Sequence, residues 1–418
     1  MSLAITNATH DGHSVGVRLE DGLIAELGPD VTPREGDEVI DASGLILVPG
    51  LVNGHTHAAM TLFRGYGDDL PLMEWLEDKI WPAEARLTEE DVYWGARLAC
   101  LEMIRTGTVR FWDMYWHPAG TARAVADSGL RATIAGPLLD QHPGTTVEEA
   151  RATALDHLDQ LAEADPRVAA ALAPHAIYTV SEDTLRWAGE VAAERGIPIH
   201  IHASETRREV EDCVAAHGDR PIPYLDRVGV LGPRTVLAHG VWLDDAELDL
   251  VAERGATIVT NPVANLKLAV GGVFQYPAAR EREVAVGLGT DGPGSNNSLD
   301  LFQDMKVFAL LQKHEAQDPA SVTAEETWEI ATGARAPLLG GSGELVEGAP
   351  ADMLLLRGDS PELSLGDLEA GLVYAASGAV VDTTIVDGRV LMRGGVVDGA
   401  GEILERAVES ARRLGIAT

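Results

Sequence analysis

Histidines and carboxylates recur at the ends of short apolar runs in this chain. Asn53-Gly54-His55-Thr56-His57 closes one run, Ala173-Pro174-His175 another, and His200-Ile201-His202 a third, with Glu205 just beyond. Ala238-His239 and Gly289-Thr290-Asp291 close two more. In extended backbone, residues two apart point to the same side. His55 and His57 can therefore reach one cation together. A third imidazole and a carboxylate from other runs would complete the coordination and leave a position for water, the mark of a catalytic metal site. Zinc favours this donor set; iron(II), manganese and cobalt accept it too. His-x-His alone is a weak signal. Joined to His202, His239 and Asp291, each after its own run, it reads as a metal site. His200 shares a face with His202 and is the alternative ligand. His10, His13, His117, His142, His157, His217 and His314 have no such setting and read as surface or packing residues.

Positioning such a set requires a regular scaffold. Eight apolar runs are expected as strands: Leu51 to His55, Thr108 to Trp112, Ala132 to Leu138, Val168 to Ala173, Pro198 to Ala203, Thr235 to His239, Thr257 to Thr260 and Val284 to Gly289. Amphipathic stretches lie between most of them, such as Glu182 to Arg195 and Leu299 to Lys313. Repeated βα units imply a parallel sheet. Eight units suit a closed (β/α)8 barrel of TIM type better than an open sheet, and no GxGxxG follows the first strand. In a barrel the strand ends meet at one rim, where active sites are built. Both ends of the chain are β-rich instead. Val15 to Leu19, Leu23 to Leu27, Met353 to Leu356 and Thr383 to Val386 read as strands, with a hairpin signal at Asp387-Gly388. The α/β fold therefore divides into residues 1–50 as the first part of a small β-sandwich domain, 51–345 as the barrel, and 346–418 as the rest of the β domain plus a closing helix near Glu402 to Leu414.

Composition removes several function classes. Lys+Arg total 32 against 66 Asp+Glu, a formal net charge of −34 in 418 residues. Such a surface repels nucleic acid. It reads as a hydrated, halophilic surface that salt screens. Only Lys79, Lys267, Lys306 and Lys313 are lysines. Cys100 and Cys213 form no CxxC and no disulfide framework, which fits a reducing cytoplasm. The first residues have no basic, apolar leader, and the apolar runs are too short to span a bilayer, so no membrane is expected. A homo-oligomer is compatible with all of this.

The segments Pro49 to His57, His202-Ala203-Ser204-Glu205-Thr206, Leu237-Ala238-His239-Gly240 and Leu288 to Gly292 resemble the amidohydrolase superfamily. More narrowly, the chain resembles its 5′-methylthioadenosine/S-adenosylhomocysteine deaminases, with triazine chlorohydrolases and guanine deaminases nearby. Trp81-Pro82-Ala83-Glu84, Asn261 to Leu268 and Ser295 to Phe302 extend the likeness along the whole chain. The resemblance implies one divalent metal, Zn2+ first and Fe2+ or Mn2+ after it, held by His55, His57, His202 and Asp291. It implies hydrolytic deamination of an adenosine-type nucleoside to the inosine analogue and ammonia. A water made nucleophilic by the metal attacks C6. His239 and Asp291 orient that water and take up its proton. Glu205 protonates the adjacent ring nitrogen and then the leaving ammonia. Glu84 would hold the ribose hydroxyls, and His175 would donate from the opposite wall.

One departure bears on the substrate. The stretch after the third strand, Ala135 to Gly144, carries no arginine for an amino-acid carboxylate; Arg151 is the nearest downstream and is the candidate for that end. Without a bidentate guanidinium, 5′-methylthioadenosine or 5′-deoxyadenosine suits the chain at least as well as S-adenosylhomocysteine. The fourth strand, Arg167 to His175, has no lysine to bridge a second metal, so one metal is expected. Guanine deamination or triazine dechlorination is the alternative activity. A non-catalytic purine- or metal-binding protein would be marked by loss of Glu205 or a ligand, and none is missing.

Overall fold

The computed structural model describes residues 2–70, 72–141, 144–341 and 343–416. Eight parallel strands follow one another around a ring. Leu51–Thr56, Thr108–Met114, Arg131–Ala135 and Val168–Ala170 form one run of neighbours; Ile199–Ala203, Thr235–His239, Thr257–Thr260 and Ala285–Leu288 form the other. Short continuations, Pro137–Leu138 and Ala173–Pro174, extend the third and fourth strands. Hydrogen bonds close both seams. His200 N donates to Leu172 O at 3.0 Å and Asp291 N to His55 O at 3.0 Å. The expected barrel is therefore present. Strands covered on both faces read as unbroken apolar runs, as in Thr235–His239, where every residue is buried.

Helices on the outside begin and end where side-chain chemistry says they should. Thr146 caps Val147–Ala162 and Ser181 caps Glu182–Arg195. Gly196 and Gly255 end two helices at φ 69° and 68°, a conformation that lets the chain turn at once into the next strand. Inside the ring, Val52, Trp112, Ala135, Ala173, Val236 and Val259 pack with Leu339. Trp112 Nε1 donates to Leu339 O at 3.2 Å. The deep half of the barrel is thus filled with apolar side chains, and the polar strand ends stand above that plug.

The two ends of the chain meet in one mixed sheet of eight strands among the described residues. Ser2–His10 pairs antiparallel with His13–Glu20 and parallel with Glu38–Asp41. Leu45–Pro49 then joins Met353–Arg357 antiparallel, with Leu47 opposite Leu355, and Val381–Val386 and Arg389–Met392 follow. Leu3, Ile5, Val17, Leu47, Met353 and Ile385 share one apolar core. The last helix, Ala400–Arg413, leaves this sheet. Ala407 and Ala411 pack against the barrel with Met60, Phe63 and Val92, and Arg413 pairs with Asp91. No helix among the described residues is long and apolar enough to cross a membrane.

Candidate active site

The first barrel strand delivers His55 and His57 to the rim. The fifth delivers His200 and His202, the sixth His239, and the segment after the eighth Asp291. Three of these strand ends turn through left-handed backbone at non-glycine residues: Ser204 at φ 53°, His239 at 76° and Asp291 at 59°. Such conformations are costly and persist where the surroundings enforce them. They carry the chain sharply off the strand, so the side chains overhang the barrel mouth.

The ligand atoms of His55, His57 and Asp291 lie within 4.8 Å of one another, and so do those of His55, His202 and His239. Nε2 of His57 is 3.2 Å and Nε2 of His55 3.4 Å from Asp291 Oδ1. The opposite ring nitrogens are all engaged. His57 Nδ1 donates to Met114 O at 2.6 Å, and His202 Nδ1 to His175 O at 2.8 Å. His239 Nδ1 meets Asn265 Oδ1 at 2.8 Å, and His55 Nδ1 meets His200 Nε2 at 2.9 Å. A ring nitrogen that donates to a carbonyl leaves the other with a free lone pair. His57 and His202 are thereby fixed with Nε2 available, and in His55 and His239 Nε2 is available in the form whose Nδ1 donates to His200 and Asn265. His55 Nε2 is buried and has no hydrogen-bond partner. An unpaired buried nitrogen is expensive, and a cation between the imidazoles and Asp291 would satisfy it. The donor set of imidazoles plus one carboxylate fits a divalent metal.

Electrostatics follow from burial and crowding. Burial pushes the His55 imidazole down to about 4. Burial disfavours charge on His57 as well, but Asp291 outweighs it and pushes His57 up to about 9. Asp291 is held well below the usual carboxylate range by the two imidazoles, against the cost of burial. Its other oxygen, Oδ2, accepts from Ser295 Oγ at 2.6 Å. Burial raises Glu205, whose Oε2 stands 4.0 Å from His239 Nε2. Burial also raises Glu84, partly offset by its two donors.

A cleft opens above the cluster. His57, His175, His202, Glu205, His239, Asp291 and Glu84 all line it. Trp75, Trp81, Tyr115, Trp116 and Tyr178 give it aromatic faces. Glu84 ends the short helix Trp81–Glu84; Tyr115 Oη donates to one oxygen at 2.7 Å and Trp116 Nε1 to the other at 3.0 Å. Each oxygen keeps a further acceptor site. His175 lines the same cleft, with Nδ1 3.1 Å from Thr179 Oγ1.

The geometry bears on the alternative ligand and on one expected substrate contact. His202, the expected ligand, lines the cleft, whereas the alternative, His200, has its Nε2 engaged with Nδ1 of His55. Arg151 does not reach the cleft. It lies on the outer helix Val147–Ala162, where Nε bonds Thr184 Oγ1 at 3.2 Å and the guanidinium sits over Trp187. Among the described residues no lysine or arginine lines the cleft. His142 lies outside the described residues; His10 bonds the Leu47 carbonyl and His217 stacks on Tyr224, both packing roles. Sequence reading misses the supports: His200 behind His55, Asn265 behind His239, Ser295 behind Asp291, and Tyr115 with Trp116 behind Glu84. Asn265 and Ser295 stand inside segments that carry the family likeness, and Tyr115-Trp116 directly follows the second strand. Those positions are the available signals.

Comparison with known proteins adds the following. The model of the Amidohydrolase family matches residues 46–391. A 5′-deoxyadenosine deaminase of Methanoregula boonei is 46% identical over 422 residues, covering 99% of this chain and 95% of that one. A 5-methylthioadenosine/S-adenosylhomocysteine deaminase of Archaeoglobus fulgidus is 43% identical, covering 95% of this chain and 94% of that one. The crystal structure of an adenosine deaminase from Xanthomonas campestris with bound zinc superposes with a TM-score of 0.92 at 32% identity, covering 99% and 98% of the two chains.

Proposed function

The chain belongs to the amidohydrolase family, and on that premise we propose that it deaminates adenosine-type nucleosides with a short, uncharged 5′ substituent. It is a hydrolase of C–N bonds. The products are the inosine analogue and ammonia. One observation carries the reading: Glu205 and Glu84 line the same aromatic cleft as the imidazole cluster. We assign the first to proton transfer at the reacting end and the second to the ribose.

His55, His57, His202 and Asp291 would hold a divalent cation, and zinc suits three nitrogens and an oxygen. When bound, such a cation lowers the pKa of water toward neutrality and so supplies a nucleophile for C6. His239 and Asp291 orient that water, and His239 takes up its proton. Glu205 is raised by burial and so keeps a proton more readily than an exposed carboxylate. It delivers that proton to the ring nitrogen beside C6, takes on the water proton held by His239 and passes it to the departing amine, and recovers its own as the C6 hydroxyl becomes the carbonyl. Glu84 accepts the ribose hydroxyls, with Tyr115 and Trp116 holding its carboxylate in place. His175 contacts the substrate from the facing wall.

The absence of a cationic side chain from the described cleft lining supports 5′-deoxyadenosine or 5′-methylthioadenosine over S-adenosylhomocysteine, whose amino-acid carboxylate would find no guanidinium. The zinc-loaded protein should be assayed for ammonia release with these three nucleosides, adenosine and guanine, and for chloride release with a chlorotriazine. The two short 5′ substrates should show the highest kcat/KM. Turnover confined to guanine or the triazine would reject the reading. We infer in addition that the chain works at high ionic strength, from its charge of −34, and in the cytoplasm, where its two buried free thiols would stay reduced.

A further inference from the structure

Behind Glu205 lies a second carboxylate that the mechanism above does not use. The chain after the fifth barrel strand runs through Ser204 and Glu205 into the helix Arg207–His217. Thr206 caps that helix, its hydroxyl accepting from Glu209 N at 3.1 Å. The same spacing elsewhere closes a reciprocal box, in which the third helical residue returns a bond to the backbone of the cap: Thr88 with Asp91, Thr146 with Glu149, Asp244 with Glu247 and Thr323 with Glu326. Glu209 reaches past its cap residue. Its Oε1 accepts from Ser204 N at 2.8 Å and its Oε2 from Glu205 N at 2.8 Å.

Those two bonds fall on the strained part of the loop. Ser204 is left-handed at φ 53°, a conformation a serine holds only when it is fastened. Its carbonyl is fastened too, accepting from Trp242 N at 2.8 Å. The turn at Ser204 sends the Glu205 side chain into the cleft, buried, toward His239. A carboxylate bonded through both oxygens to consecutive N–H groups is a stiff clamp. The arrangement is unfavourable in isolation. Burial first, then the neighbouring charge of Glu205, pushes Glu209 up to about 7. An ordinary cap would not need a buried carboxylate beside another.

We propose that Glu209 is a positioning residue for proton transfer, clamping the Ser204 turn so that Glu205 meets the reacting base. This rests on the role given to Glu205 above. Glutamine at this position has nearly the same shape but can accept through only one atom, so E209Q opens one half of the clamp. The test is a double-mutant cycle on the zinc-loaded enzyme with E205Q, E209Q and the pair. E209Q should lower kcat by up to about 10²-fold while leaving KM and zinc content unchanged, as expected when a proton-transfer group is displaced. In the E205Q background the same substitution should cost nothing further, because the group it positions is already gone. Full kcat in E209Q, or equal losses in both backgrounds, would overturn the proposal. If E209Q does not fold, Glu209→Asp, shortened by one methylene and still charged, is read through the same cycle. E205Q with wild-type kcat would instead overturn the role of Glu205, a failure distinct from that of Glu209.

Discussion

At His55 the two ring nitrogens do different work. Nε2 faces Asp291 and is otherwise unpaired, while Nδ1 is met by His200 Nε2 at 2.9 Å. His200 is fully buried, with its own ring edge-on to Trp112. It therefore acts through His55, holding the tilt of a ring that belongs to both candidate ligand groups. Outer partners of this kind are commonly worth about 10- to 100-fold in metal affinity. His200→Ala should weaken zinc binding by about that factor, measured by competition with a chromophoric chelator. Affinity equal to that of the unaltered protein would make the contact incidental.

At the scale of elements, the loops after different strands are tied to one another as well as to their own helices. Asp304, on Leu301–Ala316, accepts from Val263 N after the seventh strand and from Asn296 Nδ2 after the eighth, each at 3.2 Å. It is fully buried, and burial pushes its carboxyl up to about 8. The folded state thus holds this proton more tightly than the unfolded chain, where aspartate titrates near about 4. That contribution to stability is complete below the unfolded value and is lost as pH rises through about 8. Asp304→Asn cannot ionise, so its Tm should vary less between about pH 4 and 8 than that of the parent. Parallel Tm profiles would place the pH dependence elsewhere. A second tie governs the segment after the first strand, which brings Trp75, Trp81 and Glu84 over the cleft. Lys267 Nζ reaches Asp68 Oδ1 at 2.8 Å and Asn297 Oδ1 at 2.7 Å. A partly exposed pair contributes on the order of 0.2–1 kcal/mol. Lys267→Ala should therefore raise KM by no more than about fivefold and speed proteolytic cleavage near Asp68, with kcat held. A large fall in kcat would show that the tie does more than hold this segment.

For the whole molecule, charge is the dominant feature. A net charge of −34 repels itself, and screening within a Debye length removes much of that cost. Many arginines are already paired on the surface, such as Arg254 with Asp226 and Arg282 with Asp249. The excess acid has no such partners to use. Thermal melts should show Tm rising steadily as KCl is raised from about 0.1 M, where the Debye length is near 10 Å, to about 1 M, where it is near 3 Å. A flat or falling Tm would separate the acidic composition from salt adaptation. The small β sheet works at the same scale. It joins residues near both ends of the chain, Leu47 beside Leu355, and Arg131 of the barrel bonds Asp352 and Asp387, which flank two of its strands.

Several parts of this architecture are legible in the sequence itself. Thr235–His239, Thr257–Thr260 and Glu182–Arg195 fall where the hydrophobic pattern places them. Strands covered on both faces must be apolar throughout, and outer helices need a cap and a stop, so these boundaries are written locally. The strand-end positions of His55, His57, His202, His239 and Asp291 are legible for the same reason. Tertiary structure decides what each of them faces. His200 and His202 share a side of one strand, but two residues separate them by about 6.6 Å in depth. That depth sends His200 behind His55 and leaves His202 at the mouth. Arg151 follows the expected loop in sequence, yet helix geometry turns it outward onto Trp187. Glu84 owes its hold to Tyr115 and Trp116 from the segment after the second strand, and the Glu205 turn owes its hold to Glu209. Residue type and spacing determine which groups can do the chemistry. Distances between segments far apart in the chain determine which ones meet.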